Sequence, residues 1–203
     1  MQSLKAKNAP WIWSVVVADC AAIALLGFNI GIDDIPPDLK RVPQLAGAAI
    51  VPILVNLLTS LIPSGWKDVI VFWRIRDPLP GSRAFSVFAH KDPRIDFGRL
   101  EAAEGPFPTV PSEQNSHWFR LYKSVQDDLV VAHPHGLFLL FRDISCLSLI
   151  LLPCAVAVIL IYGEATTEIP FVAALFIAQY ALTMVAARNN AIRMVKSVLA
   201  LHC

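Results

Sequence analysis

Four apolar runs, roughly residues 11–30, 43–62, 144–163 and 170–187, stand in two pairs on either side of a polar block from Ser64 to Asp143. Nothing else in the chain restricts its fold so strongly. Each run is close to the ~20 residues a helix needs to cross a hydrocarbon core. A helix bonds its own backbone within the segment, so it can cross where no water is available. The remaining composition agrees: 56% of residues are hydrophobic, 16% are charged, and mean hydropathy is +0.57, well outside the range of soluble domains. The expected architecture is an all-α membrane protein with four transmembrane helices arranged as two hairpins. Its segments are 1–63, a first hairpin; 64–143, a mostly helical cytoplasmic domain; and 144–203, a second hairpin with an amphipathic cytoplasmic tail.

Local signals mark the ends of the runs. Trp11 and Trp13 open the first as interfacial anchors, and Gly31 closes it ahead of a polar turn at 32–41. Pro43 suits the first turn of the second helix, Pro52 kinks it and Pro63 stops it. The connector 164–169 holds Glu164 and Glu168 and no base, and Pro170 opens the fourth run. Lys5 and Lys7 before Trp11 have the look of a signal peptide. Asp19 inside the run, the lack of an A-x-A site and the length of the run argue for a retained span. Asp19 also stands where a lipoprotein site at Cys20 would need a small residue.

Basic residues set the orientation. Lys5 and Lys7 precede the first run, the central block carries ten Lys and Arg, and Arg188, Arg193 and Lys196 follow the last run. The short connectors hold only Lys40 and Arg41. Positive residues stay on the cytoplasmic side, so both termini and the insert are expected there. The net charge of +1 gives no basic field for nucleic acid. Cys20, Cys146, Cys154 and Cys203 form neither a disulfide framework nor a C-x-x-C site, and read as small packing residues.

Within the insert, residues 66–76 read as a juxtamembrane helix with Ser64 as its cap and Trp66, Ile70 and Trp73 on one side. Residues 83–90 alternate weakly and are expected to be extended. Asp96 caps a short helix, with Ile95 stapled to Leu100 and Gly105 as its stop. From Glu113 to about Leu129, Trp118, Leu121, Tyr122, Val125 and Leu129 form a helical stripe. That stripe leaves Trp118, Leu121, Tyr122 and Val125 as a candidate interaction face, and Asp127 and Asp128 as a solvated one. The segment 133–136 (His-Pro-His-Gly) is expected to break the helix. Ile192, Val195 and Leu199 give the tail an apolar face suited to lying along the cytoplasmic surface.

Few residues point to chemistry. Asp19 lies inside a span, where an ionisable group is costly and normally faces a bundle interior or a wet cavity. Asp19, Asn56 and Gln179 sit at matching depths, roughly 9–12 Å from the cytoplasmic ends at 1.5 Å per residue, with Ser148 and Thr183 slightly shallower. These five define a candidate intramembrane polar layer. It is either an ion-handling site or a hydrogen-bond network that holds the helices in register. Arg74, Arg76 and Arg142 flank span ends and are candidate lipid-headgroup contacts, although Asp77 and Asp143 beside them offer local ion pairs. His133 and His135, two apart around a proline, make a poor chelate, and no Cys or Asp partners are spaced for a metal. No metal or cofactor is expected. No G-x-S-x-G, P-loop, G-x-G-x-x-G or H-E-x-x-H is present, so an enzyme is the less favoured class.

Three stretches of the insert carry a resemblance: 76–85 (RDPLPGSRAF), 92–96 (DPRID) and 113–123 (EQNSHWFRLYK). Together with the entry to the third run at 140–143, they resemble a group of small four-span bacterial inner-membrane proteins to which no activity is attached. The resemblance implies an inner-membrane setting. Three functions are compatible with the pattern. The first is a multi-pass effector whose cytoplasmic domain docks or senses a protein partner and couples it to the spans, as a pore or membrane-perturbing device. The second is a small channel or transporter subunit built on the layer around Asp19. The third is a membrane-surface enzyme acting on lipid head groups through the arginines and His133 or His135. Small-residue faces at Ala18 and Ala22, and at Ala174 and Ala178, permit close helix approach and a homo-oligomer in the lipid bilayer.

Overall fold

The computed structural model describes residues 4–27, 53–162 and 166–203, and among these it is helical throughout, without a strand. The helices are α1 (Leu4–Gly27), α2 (53–61), α3 (Ser64–Phe72), α4 (Phe97–Glu104), α5 (Pro111–Val125), α6 (Leu129–Tyr162) and α7 (Ile169–Ala200). α6 and α7 are long and apolar enough to cross a membrane. The expectations for the end of the first run, for Gly31, Lys40, Arg41, Pro43, Pro52 and the 32–41 turn, and for Glu164 fall outside the described residues.

Two units share these helices. The residues up to Lys67 with Leu140–Met184 form one, and Asp68–Leu139 with Val185–Cys203 form the other. In the first unit, Ala155 and Ile159 of α6 and Val172 and Phe176 of α7 make a buried cluster, with Ile23, Leu151, Leu152 and Ile169 against it.

The second unit has its own core. Ala84, Phe85, Phe88, Ala89, Ile95, Leu100, Trp118, Leu121, Tyr122, Val131, Met194, Val195, Val198 and Leu199 pack together. Several of its elements follow local chemistry closely. Asp96 accepts a hydrogen bond from the Arg99 N–H at 3.0 Å. Gly105, at φ +82°, ends α4 in a conformation that side chains disfavour. Ile95 and Leu100 are both buried, as a hydrophobic staple requires. Pro111 occupies the first turn of α5, where its missing N–H is harmless. Buried Gln114 clamps two loops, accepting from the Ser86 N–H and hydroxyl and donating to the Thr109 carbonyl.

Four expectations are corrected here. Residues 83–90 are not extended: Pro80–Arg83 and Ala89–Lys91 are 3-10 turns flanking a π turn at Ala84–Phe88. Ala84, Phe85, Phe88 and Ala89 are all buried, a helical spacing, and this outweighs the weak alternation. The 133–136 segment does not break a helix, because α6 runs through it. Pro134 lies near the start of α6, and the Asp128 carboxylate caps that start by accepting from the Val130 N–H at 2.8 Å. Asp128 is therefore a cap and not part of a solvated helix face. The tail does not present its apolar side to a surface, since Val195 and Leu199 are fully buried in the second unit's core.

Asp92 braces the turn between Lys91 and α4. Arg94 grips it through Nε at 3.0 Å and Nη2 at 2.8 Å, and Lys196 Nζ stands 4.0 Å away. The Arg94 hydrogen bonds hold the Asp92 carboxyl at a pKa of about 2, below its ordinary 3.8. A depressed carboxyl stabilises the fold above its unfolded pKa, and that contribution is lost as pH falls towards the folded value. Thermal unfolding followed from pH 5 to pH 2 is therefore expected to lose stability more steeply in the wild type than in Asp92→Asn. Parallel curves for the two proteins would remove this role from Asp92.

Candidate functional site

In the first unit, Asp19 of α1 and Gln179 of α7 meet, with Gln179 Nε2 donating to Asp19 Oδ2 at 3.1 Å. Asp19 is only 4% exposed, so the bond satisfies a carboxyl group that would otherwise be left buried and unpaired. One turn along α7, the Thr183 hydroxyl donates to the Gln179 carbonyl at 2.7 Å and accepts from the Ser145 hydroxyl of α6 at 2.9 Å. Next on the same helices comes the apolar cluster of Ala155, Ile159, Val172 and Phe176. Polar groups therefore occupy one stretch of this unit and apolar packing the next.

The expected layer is partly assembled. Asp19, Gln179 and Thr183 belong to one chain of hydrogen bonds. Ser148 is fully buried but donates to its own helix, at the Ile144 carbonyl. Asn56 is exposed on α2 and lines a cavity. Ser145 was not anticipated, although its place one turn before Ser148 on α6 was a usable signal.

The cavity has a volume of about 370 Å³ and draws on α1, α2, α3 and α6. Trp13, Asn56, Thr59, Ser60, Ser64, Lys67, Arg142 and Asp143 contribute its polar lining. Lys67 Nζ pairs with Asp143 Oδ1 at 3.0 Å, with side chains 6% and 9% exposed, and Arg142 Nε lies 3.5 Å from the same oxygen. The Trp13 indole N–H is buried and has no hydrogen-bond partner among the described residues. A half-open space of this size, lined by hydroxyls, an amide, an indole N–H and an ion pair, suits a small polar or charged group. The sequence concealed it because Lys67 and Asp143 are 76 residues apart.

Arg142 is thus 5% exposed beside this pair, and its expected place on a headgroup-facing surface is corrected. Arg74 and Arg76 are exposed in the second unit, on the turn after α3. The candidate interaction face is also corrected. Trp118, Leu121 and Tyr122 are between 5% and 8% exposed, and Val125 packs against the same core. The second unit's own core, with the turn at Pro80–Arg83 packed on Trp118, covers them.

The histidines are dispersed. His135 Nδ1 meets the Tyr122 hydroxyl at 2.9 Å, while His133 is exposed. His90 packs on Phe97, and His117 lies edge-on to Phe85 and Phe107. Burial first, and then the Arg120 charge, push the His117 pKa below its ordinary value against the pull of Glu104. Burial likewise raises the Tyr122 phenol. No protein-family model, no curated protein and no solved structure matches this chain.

Proposed function

We propose that this chain is a four-span bacterial inner-membrane protein in which a cytoplasmic unit docks a protein partner and passes that event to the spans. One observation carries the coupling. α6 and α7, of 34 and 32 residues, run unbroken between the two hydrophobic cores. α6 gives Val131 to one and Ile159 to the other, and α7 gives Val195 to one and Phe176 to the other. Each long helix gives residues to both cores, which supports a coupling of docking to the spans.

The membrane setting is supported by large apolar side chains left open in the first unit. Trp11, Leu57, Leu61, Leu160, Ile161, Phe171, Ile177 and Leu182 are all more than half exposed, a surface suited to lipid and not to water. The second of the two helical hairpins is supported by the pairing of Ser145 with Thr183 and of Ala155 and Ile159 with Val172 and Phe176, the order that antiparallel helices produce.

Controlled overproduction in bacteria, with a potential-sensitive dye, tests the coupling. The wild type is expected to depolarise the membrane. A proline introduced at Leu139, which interrupts α6, is expected to abolish depolarisation while the protein stays membrane-integrated. Depolarisation that survives the proline would end this reading. The cavity favours a second reading, a channel or transporter subunit. Liposome ion flux that is lost in Asp19→Asn would support it.

A further inference from the structure

α3 ends in an unusual way. The Trp73 N–H closes the helix on the Val69 carbonyl at 2.7 Å, with Trp73 in the left-handed region at φ +54°. Asp77, four residues on, is also left-handed at φ +47°. Glycine is the usual residue at such a position, and a bulky side chain there is a strained choice associated with functional sites. Between these two bends the chain turns its apolar groups outward, with Trp73 67% and Ile75 84% exposed, and Arg74 and Arg76 alternating with them.

Two more arginines border the turn. The Arg188 guanidinium lies 4.8 Å from the centre of the Trp73 ring and donates through Nε to the Val71 carbonyl. Its Nη2 is buried without a hydrogen-bond partner among the described residues, as is Nε of Arg83. Arg83 feels both burial and the nearby Arg74 charge, which lower its pKa. None of these four arginines makes an ion pair among the described residues.

We propose that the turn 73–76 is a membrane-docking surface that seats Trp73 and Ile75 at the interface of an anionic bilayer, with the exposed Arg74 and Arg76 binding headgroup phosphates and the part-buried Arg83 and Arg188 adding positive charge behind them. Charge complementarity selects this occupant. Tryptophan is enriched at the headgroup level, and guanidinium groups bind phosphate in a bidentate fork and retain their charge there. The strained backbone is what presents an aromatic ring and two arginines from a single turn, and Arg188 holds the ring in place. This surface rests on the membrane reading above and adds to it a second attachment, sensitive to lipid charge.

The test uses the full chain with its four cysteines replaced by serine or alanine and Ile75→Cys carrying an environment-sensitive fluorophore. The protein is placed in nanodiscs of phosphatidylcholine with or without phosphatidylglycerol. In discs containing phosphatidylglycerol the fluorophore is expected to shift to the blue and to be quenched by interfacial doxyl lipid. Arg74→Gln/Arg76→Gln is expected to weaken the docking equilibrium roughly 30-fold, about fivefold for each arginine near an anionic surface. A fluorophore that stays open to iodide in both kinds of disc overturns the proposal, as does protection that arises only on adding a protein partner. Alkaline carbonate extraction separates the two levels. A chain that resists extraction but shows an iodide-accessible turn loses only this surface, whereas an extracted chain loses the membrane reading itself.

Discussion

Asp143→Ala is expected to destabilise the first unit by about 3–5 kcal/mol, the usual effect of removing one partner from a buried ion pair. The Lys67 ammonium, 3.0 Å from Asp143 in the wild type and 5% exposed, would be left largely buried without its carboxylate. Lys67→Met is expected to cost less. It leaves Asp143 with the Arg142 guanidinium 3.5 Å away and removes a buried charge. The double variant Lys67→Met/Asp143→Ala is expected to recover much of what Asp143→Ala loses, because with both charges gone neither is left buried without its partner. Unfolding of the four proteins in detergent, followed by circular dichroism, closes the cycle. A coupling near zero, with the single effects simply adding, would mean that the pair is solvated and the cavity open to water.

The signals that were legible in the sequence act over a few residues or along a regular helix. The Asp96 cap, the Ile95 and Leu100 staple and the Gly105 stop are set by near neighbours in the chain. Depth counting along straight helices was enough to bring Asp19 and Gln179 to one level. The Lys67 and Asp143 pair was hidden, since no local pattern relates residues that the fold joins from far apart. Two apolar stripes were visible, one through Trp118 and Tyr122 and the other through Val195 and Leu199. Each was given an outside partner, a protein for the first and a membrane for the second. They pack in one core instead. A stripe's width reveals that it must be covered, and says nothing about whether the cover belongs to the same chain. The left-handed Trp73 was equally invisible, because no residue pattern requires a bulky side chain there.

Trp118→Ala decides between those two uses of the stripe, and it is expected to lower the stability of the second unit by about 3–5 kcal/mol, as aromatic truncation in a core does. Trp118 is 6% exposed. It stacks on Tyr122 with ring centroids 5.5 Å apart. A Cβ on Gly81 would fall 2.8 Å from Trp118 Cε3, so the turn at Pro80–Arg83 is packed directly on the indole and would face a void once it is gone. Trp118→Phe is expected to cost far less. The indole N–H is buried without a hydrogen-bond partner among the described residues, and its removal relieves part of the penalty for the lost ring volume. Hydrogen exchange read at α5 and in the last turns of α7 gives the measurement. Loss of protection on both elements in Trp118→Ala, with near-normal protection in Trp118→Phe, fits an interior residue. If Trp118→Ala keeps full protection and loses only the capture of a partner, the core does not cover the stripe in solution and the surface is open after all.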